Sequence, residues 1–169
     1  MGLLFSLFAE VGSNELDAEN FCQHFNNVSY ILSDQQEIVY QASFYQDPVN
    51  YSKNLHCVVC PRKKNEQDID CIDVFQDHQI MYEITPLLYE HLRTAPKFRF
   101  ALVGVEVDDW QTYEELIEDI EDPIHVEGLV LSQTTWKELR YPDSFSKFTD
   151  QYVWIPYTLS DIDWFRDNS

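Results

Sequence analysis

Three carboxylates, Glu106, Asp108 and Asp109, cluster at the C-terminal end of one apolar stretch. The stretch itself, KFRFALVGVEV (97–107), is apolar on both faces over most of its length, which is typical of a central strand. Carboxylate oxygens at the end of such a strand could hold Mg²⁺ for hydrolysis or phosphoryl transfer. A strand end followed by a helix cap explains the same residues with fewer assumptions. A metal-dependent hydrolase is therefore the alternative function, and we expect neither metal nor cofactor.

Three of the four cysteines, together with one histidine, offer a second possible metal site. Cys57, Cys60, Cys71 and His78 are residue types that bind zinc. Two valines separate Cys57 from Cys60 in a strand-like run, so the two thiols should point to opposite faces of the strand. A zinc knuckle needs a tight turn at this point, and a redox pair needs a helix N-terminus. We therefore expect buried, reduced thiols and no zinc.

Other catalytic motifs are missing from the sequence. The five histidines stand in unrelated contexts, and their spacing builds no Ser-His-Asp or Cys-His arrangement. The four glycines form neither GxGxxG nor a Walker-type loop, which argues against a kinase, an ATPase or a dinucleotide-dependent enzyme. We therefore expect a protein that is not an enzyme and has no catalytic residues.

The stretch DDWQTYEELIEDIED (108–122) carries eight carboxylates and no Lys or Arg. At about 100° per residue, its aromatic and aliphatic side chains share one face of a predicted helix. The acids on the other face form like-charge pairs four residues apart, and the later ones oppose the negative end of the helix dipole. A segment that loses stability without evident compensation is a functional candidate. The predicted partner-binding residues are Glu114, Glu115, Glu118, Asp119, Glu121 and Asp122.

The charge of the whole chain indicates the class of partner. Thirty Asp and Glu against eleven Lys and Arg give a net charge of −19, which repels nucleic acid and anionic membrane surfaces. A row of carboxylates could instead engage the Lys and Arg side chains of a basic protein that would otherwise meet nucleic-acid phosphates. We predict an immunity protein or inhibitor that neutralises a basic toxin or nuclease. A non-enzymatic adaptor subunit is a further alternative, and a solvated helix face would explain the acids without a partner.

The N-terminal residues MGLLFS match a short pattern for N-myristoylation through Gly2 and Ser6. A first strand or a docked apolar segment explains the apolar run at 2–9 better than this pattern does. No basic residue precedes this run, and Glu10 ends it after eight residues, which makes a poor signal peptide and is too short to span a bilayer. We therefore expect a cytoplasmic protein that does not bind membranes.

The elements that must position these residues follow from hydrophobic spacing. A helix capped by Ser13 should bury Leu16, Phe21 and Phe25 on its apolar face. Two hairpins follow, the first from strands at 28–33 and 37–46 and the second around the polar loop PRKKNEQD. A helix containing Pro86 then leads into the central strand at 97–107.

Strands and helices alternate after that strand. The acidic helix precedes a strand at 125–132, a short helix at 134–141 and a strand at 150–157. Thr158 and Asp161 have the spacing of a capping box for a last helical turn. The predicted fold class is α+β, a single domain over residues 1–169 with a largely antiparallel (mixed) sheet and helices packed mainly on one face.

Overall fold

An antiparallel sheet organises the computed structural model, which describes residues 3–46, 53–65, 69–107, 127–140 and 142–168. The strands are β1 (Phe5–Glu10), β2 (Ser29–Ile31), β3 (Glu37–Gln46), β4 (Leu55–Lys64), β5 (Ile69–Cys71), β6 (Phe100–Val105), β7 (Val130–Ser132), β8 (Ser146–Lys147) and β9 (Tyr152–Trp154). The helices are α1 (Glu15–Phe25), α2 (His78–Leu92), α3 (Gln133–Glu138) and α4 (Ser160–Asp167).

The strand order is β2-β3-β4-β1-β6-β7-β9-β8, and β5 pairs with the end of β4. Neighbouring strands are antiparallel in every described pairing. The first strand, β1, lies in the middle of the sheet, where all six of its residues are buried between β4 and β6. Residues 5–9 of the apolar N-terminal run therefore lie in a central strand, and the predicted α+β class with an antiparallel sheet is confirmed.

Two apolar layers cover the two faces of the sheet. Side-chain alternation along β1 sends Leu7 into the layer formed with α1, α2 and α4, and sends Phe8 into the opposite layer. The second layer includes Leu102 and Leu131, and Trp136 of α3 packs against it. Three of the four described helices thus pack on one face, as predicted.

The start of α1 differs from its prediction. Asn14 caps the helix, because its side-chain oxygen accepts a hydrogen bond from the backbone N–H of Leu16 at 2.9 Å. Ser13 is therefore not the cap. Leu16 falls in the first turn on the solvent side and is 61% exposed, whereas Phe21 and Phe25 are buried as predicted.

The start of α4 also differs, because Thr158 is not the residue that precedes the helix. Leu159 is the N-cap residue, with a left-handed φ of 65°, and its own side chain forms no capping hydrogen bond. The hydroxyls of Thr158 and Ser160 donate instead to Oε2 of Glu127, the latter at 3.1 Å. A carboxylate from another segment therefore binds the hydroxyl that was expected to cap the helix.

Candidate functional site

The predicted partner-binding carboxylates fall in the segment between β6 and β7. All six, from Glu114 to Asp122, lie in residues 108–126, outside the described residues, so their role stays a prediction. The structure does show how the chain is held where it leaves the sheet and where it returns. Those two anchors delimit the candidate site.

The chain leaves the sheet at Glu106, which is bound to the N-terminal end of the molecule. Its backbone N–H donates to the carbonyl of Leu4 at 2.8 Å, and its carboxylate accepts a hydrogen bond from the Leu4 N–H. The backbone of Glu106 has a φ of 55°, a left-handed conformation that costs about 1–2 kcal/mol outside glycine. Two hydrogen bonds to one residue hold this conformation in place.

These bonds bear on the hypothesis of a metal site. One oxygen of Glu106 is already engaged by a backbone donor, while Asp108 and Asp109 lie outside the described residues. Within the described part of the chain, no three His, Cys, Asp or Glu side chains are grouped so that they could hold a metal ion. Of the three carboxylates predicted for that site, Glu106 alone lies in the described residues, and its carboxylate binds the backbone N–H of Leu4.

The chain returns to the sheet at Gly128. The Gly128 N–H donates to the carbonyl of Ile155 at 2.7 Å, and the buried hydroxyl of Tyr89 donates to the Gly128 carbonyl at 2.7 Å. Burial raises the pKa of Tyr89, so this hydroxyl keeps its proton. Gly128 has a φ of 82°, and a Cβ at this position would overlap the Tyr89 hydroxyl oxygen. A glycine is therefore required at the second anchor.

A buried charged group, which the sequence analysis missed, occupies the second face of the sheet. Glu10 on β1 and His56 on β4 lie opposite each other in register and are 1% and 2% exposed. His56 Nε2 lies 3.8 Å from Oε2 of Glu10, and the Arg99 guanidinium pairs with Oε1 of the same carboxylate. The sequence gives one indication of this group, which is the acid Glu10 directly after an apolar run. We interpreted this acid only as the residue that ends the run.

The enclosure of this group limits its chemistry. A catalytic acid–base pair must reach a substrate proton at hydrogen-bond distance. The His56 ring instead packs against Phe8 at 5.0 Å and Tyr45 at 5.7 Å between ring centroids. The described geometry therefore supports a structural role for Glu10 and His56, in which the partly exposed Arg99 guanidinium pairs with the buried Glu10 carboxylate.

Arg99 also borders a groove of about 440 Å³ between α1 and α3. Its volume lies in the range of small-molecule sites. Lys97 and Arg99 supply positive charge there, and Asp17 and Glu138 supply negative charge. Because both signs of charge line the groove, its electrostatics select neither an anion nor a cation.

The cysteines occupy different environments. Cys57 lies in the layer beneath α1 and Cys60 packs against the opposite layer, which confirms that the two thiols point to opposite faces. A hydrogen bond with Cys22, and then burial, raise the pKa of the Cys57 thiol. Cys71 is exposed on β5 and accepts a hydrogen bond from Arg62 Nη1 at 3.2 Å, so the expectation of a buried thiol is wrong there. A three-residue strand at the margin of the sheet leaves its side chains in solvent.

An aromatic surface is present where α4 packs on α2. Trp164 is 57% exposed and Phe75, in the turn before α2, is 40% exposed. Both rings lie nearly perpendicular to the buried ring of Phe165, at 5.0 and 5.3 Å between centroids. The spacing of the last segment predicted a helical turn, but it did not predict which aromatic ring would face solvent.

Comparisons with family models, curated proteins and solved structures found no match for this chain. None of the helices in the described ranges has the length and apolar character needed to cross a membrane. Function must therefore be argued from charge and geometry.

Proposed function

We propose that this protein is an acidic protein-binding module, an immunity protein or inhibitor that neutralises a basic toxin or nuclease. The observation that carries the proposal is the uneven distribution of charge. No Lys or Arg lies between Arg99 and Lys137, whereas this stretch holds ten Asp and Glu, and eight of those acids lie in residues 108–122.

The cations of the described part already have carboxylate partners there in many cases. Lys63 pairs with Asp77 at 2.6 Å, and Lys64 pairs with Glu37 at 3.1 Å. The other cations with carboxylate partners in the described part are Arg93, Arg99, Lys147 and Arg166. These six cations therefore have carboxylate partners other than the acids of residues 108–122.

The proposed mechanism is electrostatic capture followed by occlusion. A row of carboxylates attracts a cationic partner over a distance of about one Debye length, which is about 8 Å at physiological salt. On contact, Glu114, Glu115 and Glu118 would occupy Lys or Arg side chains that a nuclease uses for phosphates. The partner then loses its nucleic-acid surface, so inhibition requires no chemistry from the inhibitor.

The test begins with a pull-down by the intact protein, followed by stopped-flow binding of the purified partner. The double reversal E115K/D119K should slow association at least tenfold while leaving the fold intact, because steering charges act mainly on the association rate. The matched control is E15K/E19K, which changes the net charge equally and has the same four-residue spacing on the exposed face of α1. It should slow association much less.

Two results would contradict the proposal. One is a partner that is itself acidic. The other is an association rate that responds neither to E115K/D119K nor to ionic strength, since a steered encounter must weaken with added salt.

A further inference from the structure

The exposed indole of Trp164 has the properties of a binding anchor. Tryptophan is enriched among the residues that dominate binding energy at protein interfaces, and neighbouring exposed apolar side chains that form one patch mark an interaction surface. Trp164 is 57% exposed although α4 packs on the core through Ile162 and Phe165, which are 3% and 8% exposed. The helix thus buries one face and presents its tryptophan on the other.

The surrounding contacts hold this ring in position. Phe165 packs nearly perpendicular to both Trp164 and Phe75, so one buried ring orients two exposed ones. Tyr82 of α2 donates its hydroxyl to Asp163, and Arg166 binds the same carboxylate at 3.1 Å. Because the surface is already ordered, a partner would lose little conformational entropy in ordering it.

The charge around the Trp164 ring indicates which kind of side chain would bind there. Helix α4 carries three Asp and one Arg, and Asp73 lies two residues before Phe75. Arg166 pairs with both Asp163 and Asp167, and the helix as a whole keeps a net negative charge. An aromatic face surrounded by net negative charge favours a cation above the ring. Arginine suits this site better than lysine because its planar guanidinium can stack on the indole while its donors reach carboxylates.

We infer that the α4 surface, formed by Trp164, Phe75 and the flanking acids, is a second contact for a basic protein and takes an Arg side chain over the Trp164 indole. The inference rests on the proposed function for the class of partner. It adds a second binding surface, which lies in the described part of the molecule, to the one predicted for the carboxylates of residues 114–122.

The test uses the full chain and two synthetic probes, a nine-residue arginine peptide and a nine-residue lysine peptide. Indole N–H signals are followed by NMR, and the W164F variant identifies the signal of Trp164 among the four tryptophans. The arginine peptide should shift the Trp164 signal and bind more tightly than the lysine peptide. W164A should weaken binding of the arginine peptide about two- to fivefold, the range expected for an exposed cation–π contact.

The matched control is L16A. Leu16 is 61% exposed, stands between Glu15 and Asp17, and is equally apolar, but it offers no aromatic face. Its removal should leave the affinity for the arginine peptide unchanged. The NMR measurement on the unaltered chain does not depend on the folding of any alanine variant.

The outcomes separate the two proposals. If the peptide shifts the Trp110 signal, which belongs to the acidic segment, and leaves Trp164 unmoved, the inference is overturned and the proposed function stands. Equal affinity for both peptides, or equal losses in W164A and L16A, would also overturn it. If neither peptide binds at low salt, both proposals fail, because a protein of charge −19 would then show no affinity for cationic chains.

Discussion

His24 and His91 stack with their ring centroids 4.2 Å apart, and each ring bonds to the backbone of the other residue. His24 Nε2 lies 3.0 Å from the His91 carbonyl oxygen, and His91 Nε2 lies 2.7 Å from the His24 carbonyl oxygen. Because a carbonyl can only accept, both Nε2 atoms must carry hydrogen. The two imidazoles thus fasten the C-terminal end of α1 to that of α2.

This arrangement predicts that the free energy of unfolding falls as the pH drops below about 6.5. Burial, assisted by the charge of His24 and opposed by the bond to the His24 carbonyl, lowers the pKa of His91. Between that lowered pKa and 6.5, the unfolded chain binds more protons than the folded one. The stabilisation is therefore complete above the unfolded pKa and is lost as the pH falls through this interval.

Denaturant unfolding at several pH values between about 7.5 and 5.5 measures the effect. H91Q should reduce the pH dependence, because glutamine keeps a donor near the position of Nε2 and does not titrate. H78Q is the control, since His78 lies at the other end of α2, away from the stacked pair. If H91Q and H78Q change the pH dependence equally, the stacked pair is not its source.

The buried ion pair of Glu10 and Arg99 gives a second prediction. E10Q should lower the free energy of unfolding by about 2–3 kcal/mol, less than for a fully buried pair because Arg99 is about one-third exposed. E37Q, which breaks the more exposed pair of Glu37 with Lys64, should cost less than about 1 kcal/mol. If E10Q and E37Q lower the free energy of unfolding equally in chemical denaturation, the burial of Glu10 does not strengthen its ion pair with Arg99.

The main sheet could be predicted from local patterns. Strand β6 is apolar on both faces, and only a central position between β1 and β7 buries both. The hairpin of β2 and β3 was predicted from a polar turn between two strand-like runs, and those strands pair as predicted. Each of these inferences needs only residues that are close in sequence.

The buried charges and anchors could not be predicted in this way. Glu10 is paired with Arg99, and Glu106 is bound to Leu4, across about ninety and one hundred residues respectively. Such contacts depend on the order of strands in the sheet, which hydrophobic periodicity does not specify. The exposure of Trp164 likewise depends on how α4 packs against α2. The acidic segment was conspicuous by composition alone, which is why it was selected from the sequence.

Gly128 provides a test of the anchor that follows the acidic segment. G128A should destabilise the fold by about 3 kcal/mol, since it combines the cost of a positive φ with a clash at the Tyr89 hydroxyl. G12A is matched to it, because Gly12 has a φ of 88° and open space around the position of a Cβ. G12A should cost about 1 kcal/mol. Thermal unfolding of both variants measures the difference, and equal losses would exclude the predicted clash.

The acidic segment predicts a response to salt. The eight carboxylates of residues 108–122 have no Lys or Arg within the segment, so the isolated protein should become more stable as salt rises toward about 0.5 M. E118Q/D122N removes two of these charges and should leave stability unchanged or raised at low salt. It should also reduce the response to salt. Denaturant unfolding at low and high ionic strength measures both effects.

The control is a carboxylate whose partners are known. Glu83 accepts hydrogen bonds from the Ser33 hydroxyl, from Gln79 at 2.9 Å and from the Ser33 backbone N–H at 2.8 Å, and these bonds, the one from the Ser33 hydroxyl foremost, lower the pKa of Glu83. E83Q should therefore destabilise the protein at every salt concentration, because an amide replaces a charged acceptor. If E118Q/D122N destabilises the protein as E83Q does, the acids of residues 108–122 have partners within the protein. That result would contradict their proposed role in binding a basic protein.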